Sequence, residues 1–287
     1  MSLSTRRFPR SAALLALLAG LAGAGCPGLS EPLRDLSLLD PPETVALFVK
    51  EEAAVSTLQG EVKARIESPK RSGTLQAVVL VKRPHSFRMR AYPRIMGGTV
   101  FDLAVRKDRI EFFIPSEETL YVQKLGGPRA EKSDRAAGVS PRPTEGPDLD
   151  ALFGSTSLAR MILGTTVEED GEVRFMDRDA DGIRLAVVNP NSVVEGYVWL
   201  DPVTHFKSRQ VVFGEGGKTV LALAFDDYEQ HEASGLYWPG VIEVWAPKEE
   251  FRLQMTFDVD DLDLNGPLED EMFDVEIPEG TKRVERE

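Results

Sequence analysis

The side chains able to do covalent or metal chemistry are few and badly spaced for it. His85, His205 and His231 stand far apart, with neither the HExxH pattern nor the short paired spacing that brings two imidazoles to one metal. No GxSxG sequence offers a strained serine at a strand-to-helix turn. The run from Asp177 to Gly182, DRDADG, opens like an EF-hand calcium loop. Its twelfth position is Val188 where the loop needs a bidentate glutamate, and Ile183, Leu185 and Val187 alternate as a strand, so a tight acidic hairpin is the simpler reading. Asp258, Asp260, Asp261 and Asp263 read as a solvated strand face. The expectation is a protein that is not an enzyme, with no catalytic residues, no metal site and no cofactor.

The lone cysteine, Cys26, belongs to chemistry of another kind. Arg6, Arg7 and Arg10 precede an uncharged run of 13 residues from Ala12 to Ala24. Crossing a bilayer as a helix takes about 20 apolar residues, so an export signal over 1–25 is the better reading. Gly25-Cys26 closes the segment in a way that resembles the bacterial lipobox, whose cysteine is acylated and becomes the mature N-terminus. Ala24 and Gly25 fit that pattern, whereas Gly23 stands where Leu or Val is preferred. The plain alternative is an ordinary secretory signal followed by an unrelated cysteine. Pro27, not Asp, follows the cysteine, so the inner-membrane retention cue is missing. The implied place is the periplasmic face of a bacterial outer membrane, with Cys26 as a lipid anchor.

Charge narrows the partners. The formal net charge is −13, and without residues 1–25 the chain holds 31 basic against 47 acidic residues, a net −16. Nucleic acid is excluded, because a polyanion is bound by basic surface that releases counterions. Electrostatic adhesion to anionic lipid is disfavoured for the same reason. Acyl chains must then supply the membrane attachment, and stable anchoring normally takes more than one.

The elements that must position any site are mostly strands. Leu58, Val62, Ala64 and Ile66 alternate with Gln59, Glu61, Lys63, Arg65 and Glu67, the period-2 signature of a strand with one wet face. Phe87, Met89 and Ala91 oppose Arg88 and Arg90; Phe101, Leu103 and Val105 oppose Asp102 and Arg106; Ile110, Phe112 and Ile114 repeat the pattern. Phe251, Leu253, Met255, Phe257 and Val259 alternate with polar residues over nine positions. Turn signals of two to four residues separate these runs, at Arg83-Pro84, Ser116-Glu117-Glu118 and Asp201-Pro202 among others, and make neighbours antiparallel. Eleven to thirteen such strands exceed what a twisted open sheet holds without curling. The predicted fold is mainly β, a strongly curved antiparallel sheet forming an incomplete half barrel. An N-terminal helix and a short helical lid close it.

The first helix begins at Asp40-Pro41-Pro42-Glu43, a capping-box-like start, and is predicted to reach about Thr57. Val45, Phe48 and Val49 give it an apolar face and Glu51 and Glu52 a wet one. The lid lies between Asp148 and Leu163, with Leu158, Met161 and Ile162 on its apolar side. Residues 126–147 are rich in Gly, Pro and charge and read as a flexible insertion. The organisation is a signal over 1–25, a tether over 26–39, one domain over 40–280 and a loose tail over 281–287.

In this order, the motifs are similar to those of the LolA/LolB lipoprotein-localisation family. The stretch from Arg88 to Thr99, RMRAYPRIMGGT, resembles the family's strand, proline turn, exposed apolar residue and next strand. SLARMILG from Ser157 to Gly164 resembles its SLxxxILG helix. LYWPG from Leu236 to Gly240 and LNGPL from Leu264 to Leu268 resemble its C-terminal half. The long 126–147 insertion departs from a minimal LolB. The resemblance implies an apolar cavity for acyl chains lined by Phe87, Met89, Phe101, Phe112 and Met255, residues that any core would also use. It places membrane insertion on the loop residues Ile95 and Met96, although Met96 folded back on a sheet edge is the bland alternative. A LolB-like lipoprotein accepts lipoproteins from a soluble LolA-like carrier and places them in the outer membrane without covalent chemistry. The second reading is an envelope lipoprotein that uses the same fold for another amphiphile or a protein partner.

Overall fold

The computed structural model describes residues 35–69, 72–93, 98–106, 108–124, 171–180 and 182–286, which, Asp35 apart, lie in the unit Leu36–Glu287. The signal segment, Cys26, Ile95, Met96, the 126–147 insertion and the lid residues Leu158, Met161 and Ile162 lie outside these residues.

Helix α1 (Pro41–Ala54) starts as its sequence requires. The Asp40 carboxylate accepts from the Glu43 amide at 2.9 Å, the Glu43 carboxylate accepts from the Asp40 amide at 3.2 Å, and prolines fill the first turn where no amide partner is needed. It stops at Ala54, three residues earlier than expected, because Val55 is already extended and Thr57 opens a strand. No basic residue stands in its last turn; instead Arg83 Nε donates to the Val55 carbonyl at 2.6 Å and Asn265 Nδ2 to that of Ala54 at 2.8 Å.

Fifteen strands are formed among the described residues, more than the eleven to thirteen expected. They are β1 (Thr57–Glu67), β2 (Ser72–Lys82), β3 (Ser86–Tyr92), β4 (Phe101–Val105), β5 (Arg109–Ile114), β6 (Thr119–Lys124), β7 (Glu172–Arg178), β8 (Ile183–Val188), β9 (Val194–Leu200), β10 (Lys207–Phe213), β11 (Thr219–Gln230), β12 (Tyr237–Ala246), β13 (Phe251–Phe257), β14 (Asp263–Leu264) and β15 (Lys282–Arg286). All join one sheet in the order β15-β6-β5-β4-β3-β2-β1-β13-β12-β11-β10-β9-β8-β7, with β14 added to β1. The path is two antiparallel meanders joined by β1 against β13, where Val62 faces Phe257 and Ala64 faces Met255. A twisted sheet this wide curls, and here it remains open, with β7 and β15 as its edges. Residues 281–287 were expected to be a loose tail, yet β15 pairs with β6 and is the parallel exception, Lys282 opposite Thr119.

One face of the sheet is apolar from β1 through β6 and again through β10 to β13, and its side chains form a single cluster that includes Leu58, Val79, Phe87, Met89, Ile110, Ile242 and Met255. Helix α1 lies on the same inner face beside β7 to β9, where Phe48 packs with Ile183, Leu185, Val198 and Leu200. Two of its expected faces need correction. Val49, read as apolar face, is 47% exposed. Glu52, read as wet, is nearly buried, because its carboxylate accepts from Lys207 Nζ at 2.9 Å.

Among the described residues, one half of the outer face is covered and the other is not. Residues 265–281 run as a strap over the outward side of β2 to β6: Leu268 and Phe273 pack on Leu80, and Val275 packs on Ala104, Phe113 and Leu120. The DRDADG segment is the tight hairpin expected, with the Gly182 amide donating to Asp179 Oδ1 at 3.1 Å between β7 and β8. Asp258, Asp260, Asp261 and Asp263 are exposed as expected; Asp263 is on β14, but Asp260 and Asp261 lie on a short 3-10 turn that Asp258 caps.

Candidate functional site

The five residues expected to line an acyl cavity all fall on the inner face, and the structure grades them along its length. Phe87, Met89 and Met255 are buried, while Phe101 and Phe112 are half-buried, their rings 5.6 Å apart between centroids. The grading follows the strands. The end that holds Leu58, Phe87 and Ile110 is stoppered by Val55, Val259, Leu262 and Leu264. Leu262 presses so closely there that a Cβ on Gly60 would meet its Cδ2 at 2.3 Å. The opposite end carries Ile66, Leu75, Phe101, Phe112, Val220 and Phe251, all only partly buried. Tyr92 and Phe101, the facing ends of β3 and β4, stand at this half-open rim.

Polar groups enter the inner face mainly from β10. Lys207 is 8% exposed and holds Glu52 of α1, and its ammonium lies 4.2 Å from the centre of the Phe225 ring. Gln210, three residues on, is 2% exposed, and among the described residues its side-chain carbonyl accepts no hydrogen bond. Burial lowers the affinity of the Arg83 guanidinium for its proton, an effect that the Glu52 carboxylate opposes. The arrangement is an apolar surface with a few ionic fixtures at its helix-covered side.

The outer face holds a site that sequence reasoning missed. Arg88 and Asp102, read as outward strand positions, are 9% and 1% exposed under the strap. Arg88 Nε and Nη2 donate to the two Asp102 oxygens at 3.0 and 2.7 Å, and Nη1 donates to the Met272 carbonyl at 2.8 Å. The bond to Asp102 raises the Arg88 affinity for its proton against the cost of burial. Lys82 joins Asp270 at 2.7 Å, Arg106 joins Asp274, and Arg90 joins Glu276 at 3.3 Å, so three strap residues meet a row of cations. Beside this row is a groove of about 720 Å³ lined by Arg90, Thr99, Asp102, Phe113, Glu276 and Ile277 among others. The available signal was compositional: basic outward residues on β2 to β4 against an acidic segment at 269–276.

His205 and His231 are buried in turns. His231 Nδ1 lies 2.8 Å from Ser234 Oγ and Nε2 lies 2.9 Å from the Leu262 carbonyl, so it pins the stopper rather than facing a reactant.

No protein-family model matches the chain, and no curated protein does. Solved structures do. A DUF1329 family protein from Desulfovibrio piger is 14% identical and covers 82% of this chain and 98% of its own, at a TM-score of 0.51. A putative outer membrane lipoprotein-sorting protein domain from Vibrio parahaemolyticus is 13% identical over 81% of this chain and 95% of its own, at 0.49. A LolA superfamily protein from Nitrosomonas europaea is 13% identical over 80% and 97%, also at 0.49. At such identity the likeness to the DUF1329 protein is one of fold alone.

Proposed function

We propose that this protein binds acyl chains on the inner face of its sheet and, anchored through an acylated Cys26, receives lipoproteins at the periplasmic face of a bacterial outer membrane, a LolB-like role. The observation that carries the reading is the graded inner face: continuous, apolar, stoppered at one end and half-buried at the other. A tail entering past Phe101 and Phe112 gains about 0.8 kcal/mol for each methylene it buries. Transfer then needs no bond made or broken. Ile95 and Met96, which follow β3 in the sequence, take the membrane-contacting role, and a LolA-like carrier is the proposed donor.

The test is displacement of a fluorescent acyl probe by palmitate, comparing the wild type with Phe112→Glu. A carboxylate at the half-buried rim should weaken binding about tenfold or more, since an unpaired charge facing an apolar chain is costly. Absence of probe binding in the wild type overturns the lipid reading. Insertion of a lipoprotein into liposomes, lost in Ile95→Glu/Met96→Glu while probe binding persists, would separate delivery from capture.

A further inference from the structure

The outer surface of β8 to β13 is the half that the strap leaves bare, and three guanidinium groups lie against aromatic rings across it. Arg209 sits 4.8 Å from the Trp199 ring centre, Arg184 5.5 Å from that of Tyr197, and Arg252 5.9 Å from that of Trp245. Tyr197 meets Trp199 and Phe213 edge-on at 5.9 and 5.5 Å, and Trp245 is 43% exposed. Register places small residues between the rings: Ala224 is opposite Arg209, and Ala222 is opposite Trp245. Three acids on or beside this face are engaged by side chains, and the exposed Asp226 on β11 accepts from the Asp227 amide. Asp177 holds Arg184, Glu67 holds Arg65 at 2.7 Å, and Glu243 accepts from Gln254 at 3.1 Å. Among the described residues neither Arg209 nor Arg252 forms an ion pair, although Glu67, which holds Arg65, stands opposite Arg252 across the β1 and β13 pairing.

We propose that this band is a docking surface for an acidic, partly apolar protein segment, distinct from the inner face. A guanidinium flat on a ring spends its face on the ring and keeps its edge N–H groups free, in the planar fork that binds a carboxylate through two bonds. Apolar side chains of the segment cover Ala222, Ala224 and the exposed side of Trp245, and Trp, Tyr and Arg are the residue types that carry most binding energy at protein interfaces. Arg209 and Arg252 lie on β10 and β13, three strand spacings apart, roughly 15 Å, which an extended segment spans in about four or five residues. A second copy of this chain is disfavoured, since the band would meet its own arginines. A membrane is disfavoured too, because a flat anionic bilayer faces the whole −13 charge whereas a short segment feels charge only within about a Debye length of 10 Å.

Fluorescence anisotropy of a fluorescein-labelled peptide of alternating glutamate and leucine, titrated with the full chain, reads the site. The wild type binds it and ignores the lysine–leucine counterpart. Arg209→Gln/Arg252→Gln raises the Kd about tenfold or more, Arg209→Lys/Arg252→Lys weakens it by less, and Arg283→Gln, on β15, leaves it unchanged. Equal affinity in the wild type and the glutamine double variant overturns the proposal. So does failure of the wild type to bind the peptide while phosphatidylglycerol vesicles bind it and lose binding in the double variant, which would make the band a lipid contact.

Discussion

Asp102 occupies a strand position whose alternation points outward, yet Arg88 chelates it with two bonds and the strap shuts water out. Removing one partner of such a pair leaves the other charge buried and alone, so Asp102→Ala should cost roughly 3–5 kcal/mol, read as a lower urea midpoint. Asp201 makes a different kind of bond. Burial pushes its carboxyl up, but the amide and hydroxyl of Thr204 and the amide of Val203 outweigh that and hold it below its ordinary 3.8. A lowered value means stability that is fully present above pH 3.8 and lost as pH falls through the folded value. The stability gap between wild type and Asp201→Asn should therefore close on acidification below about pH 4, measured by urea unfolding at a series of pH values. Inward residues such as Phe87 and Met255 were legible in the sequence because alternation alone puts them on one face. Arg88 was not, since its third partner, the Met272 carbonyl, stands 184 residues away and alternation says only that Arg88 faces out.

At the scale of elements, local chemistry was the most readable part. The Asp40 to Glu43 cap, the hairpin at Asp179 to Gly182 and the turn at Ser116 to Glu118 each form from residues that are neighbours in sequence. What the sequence concealed was the strap, because its segment lacks period and reads as loop. It binds by three side chains, Asp270, Asp274 and Glu276, to Lys82, Arg106 and Arg90 on or beside β2, β4 and β3, an arrangement that exists only once those strands are aligned. The strap ends in β15, which satisfies the backbone of β6. Truncation after Gly280 should leave β6 an unpaired edge. Its amides from Thr119 to Gln123 should exchange with deuterium faster, while those of β12 keep their protection. Unchanged exchange in β6 would mean that β15 contributes no lasting pairing.

At the scale of the whole unit, short turns and one-sided alternation were enough to foresee a curved, open, antiparallel sheet with Phe87, Met89, Phe101, Phe112 and Met255 on one face. Their gradient from buried to half-buried was not foreseeable, because it depends on which strand ends Leu262 and Leu264 stopper. The Arg and aromatic band also escaped, since Arg184, Trp199 and Arg209 become neighbours only through the β8, β9 and β10 registers.

The position of β1 carries a consequence for how the chain is made. It is the first strand in sequence but stands in the middle of the sheet, and its second neighbour, β13, supplies Phe257 opposite Val62. During synthesis or export β1 can pair with β2 at once, yet its other side waits for nearly the whole chain to emerge. Until then it is an open apolar edge, the kind of surface on which strands of separate molecules join. Closure of that one seam is therefore expected to come late in folding, and conditions that slow the arrival of β13 should cost yield through aggregation before they cost stability.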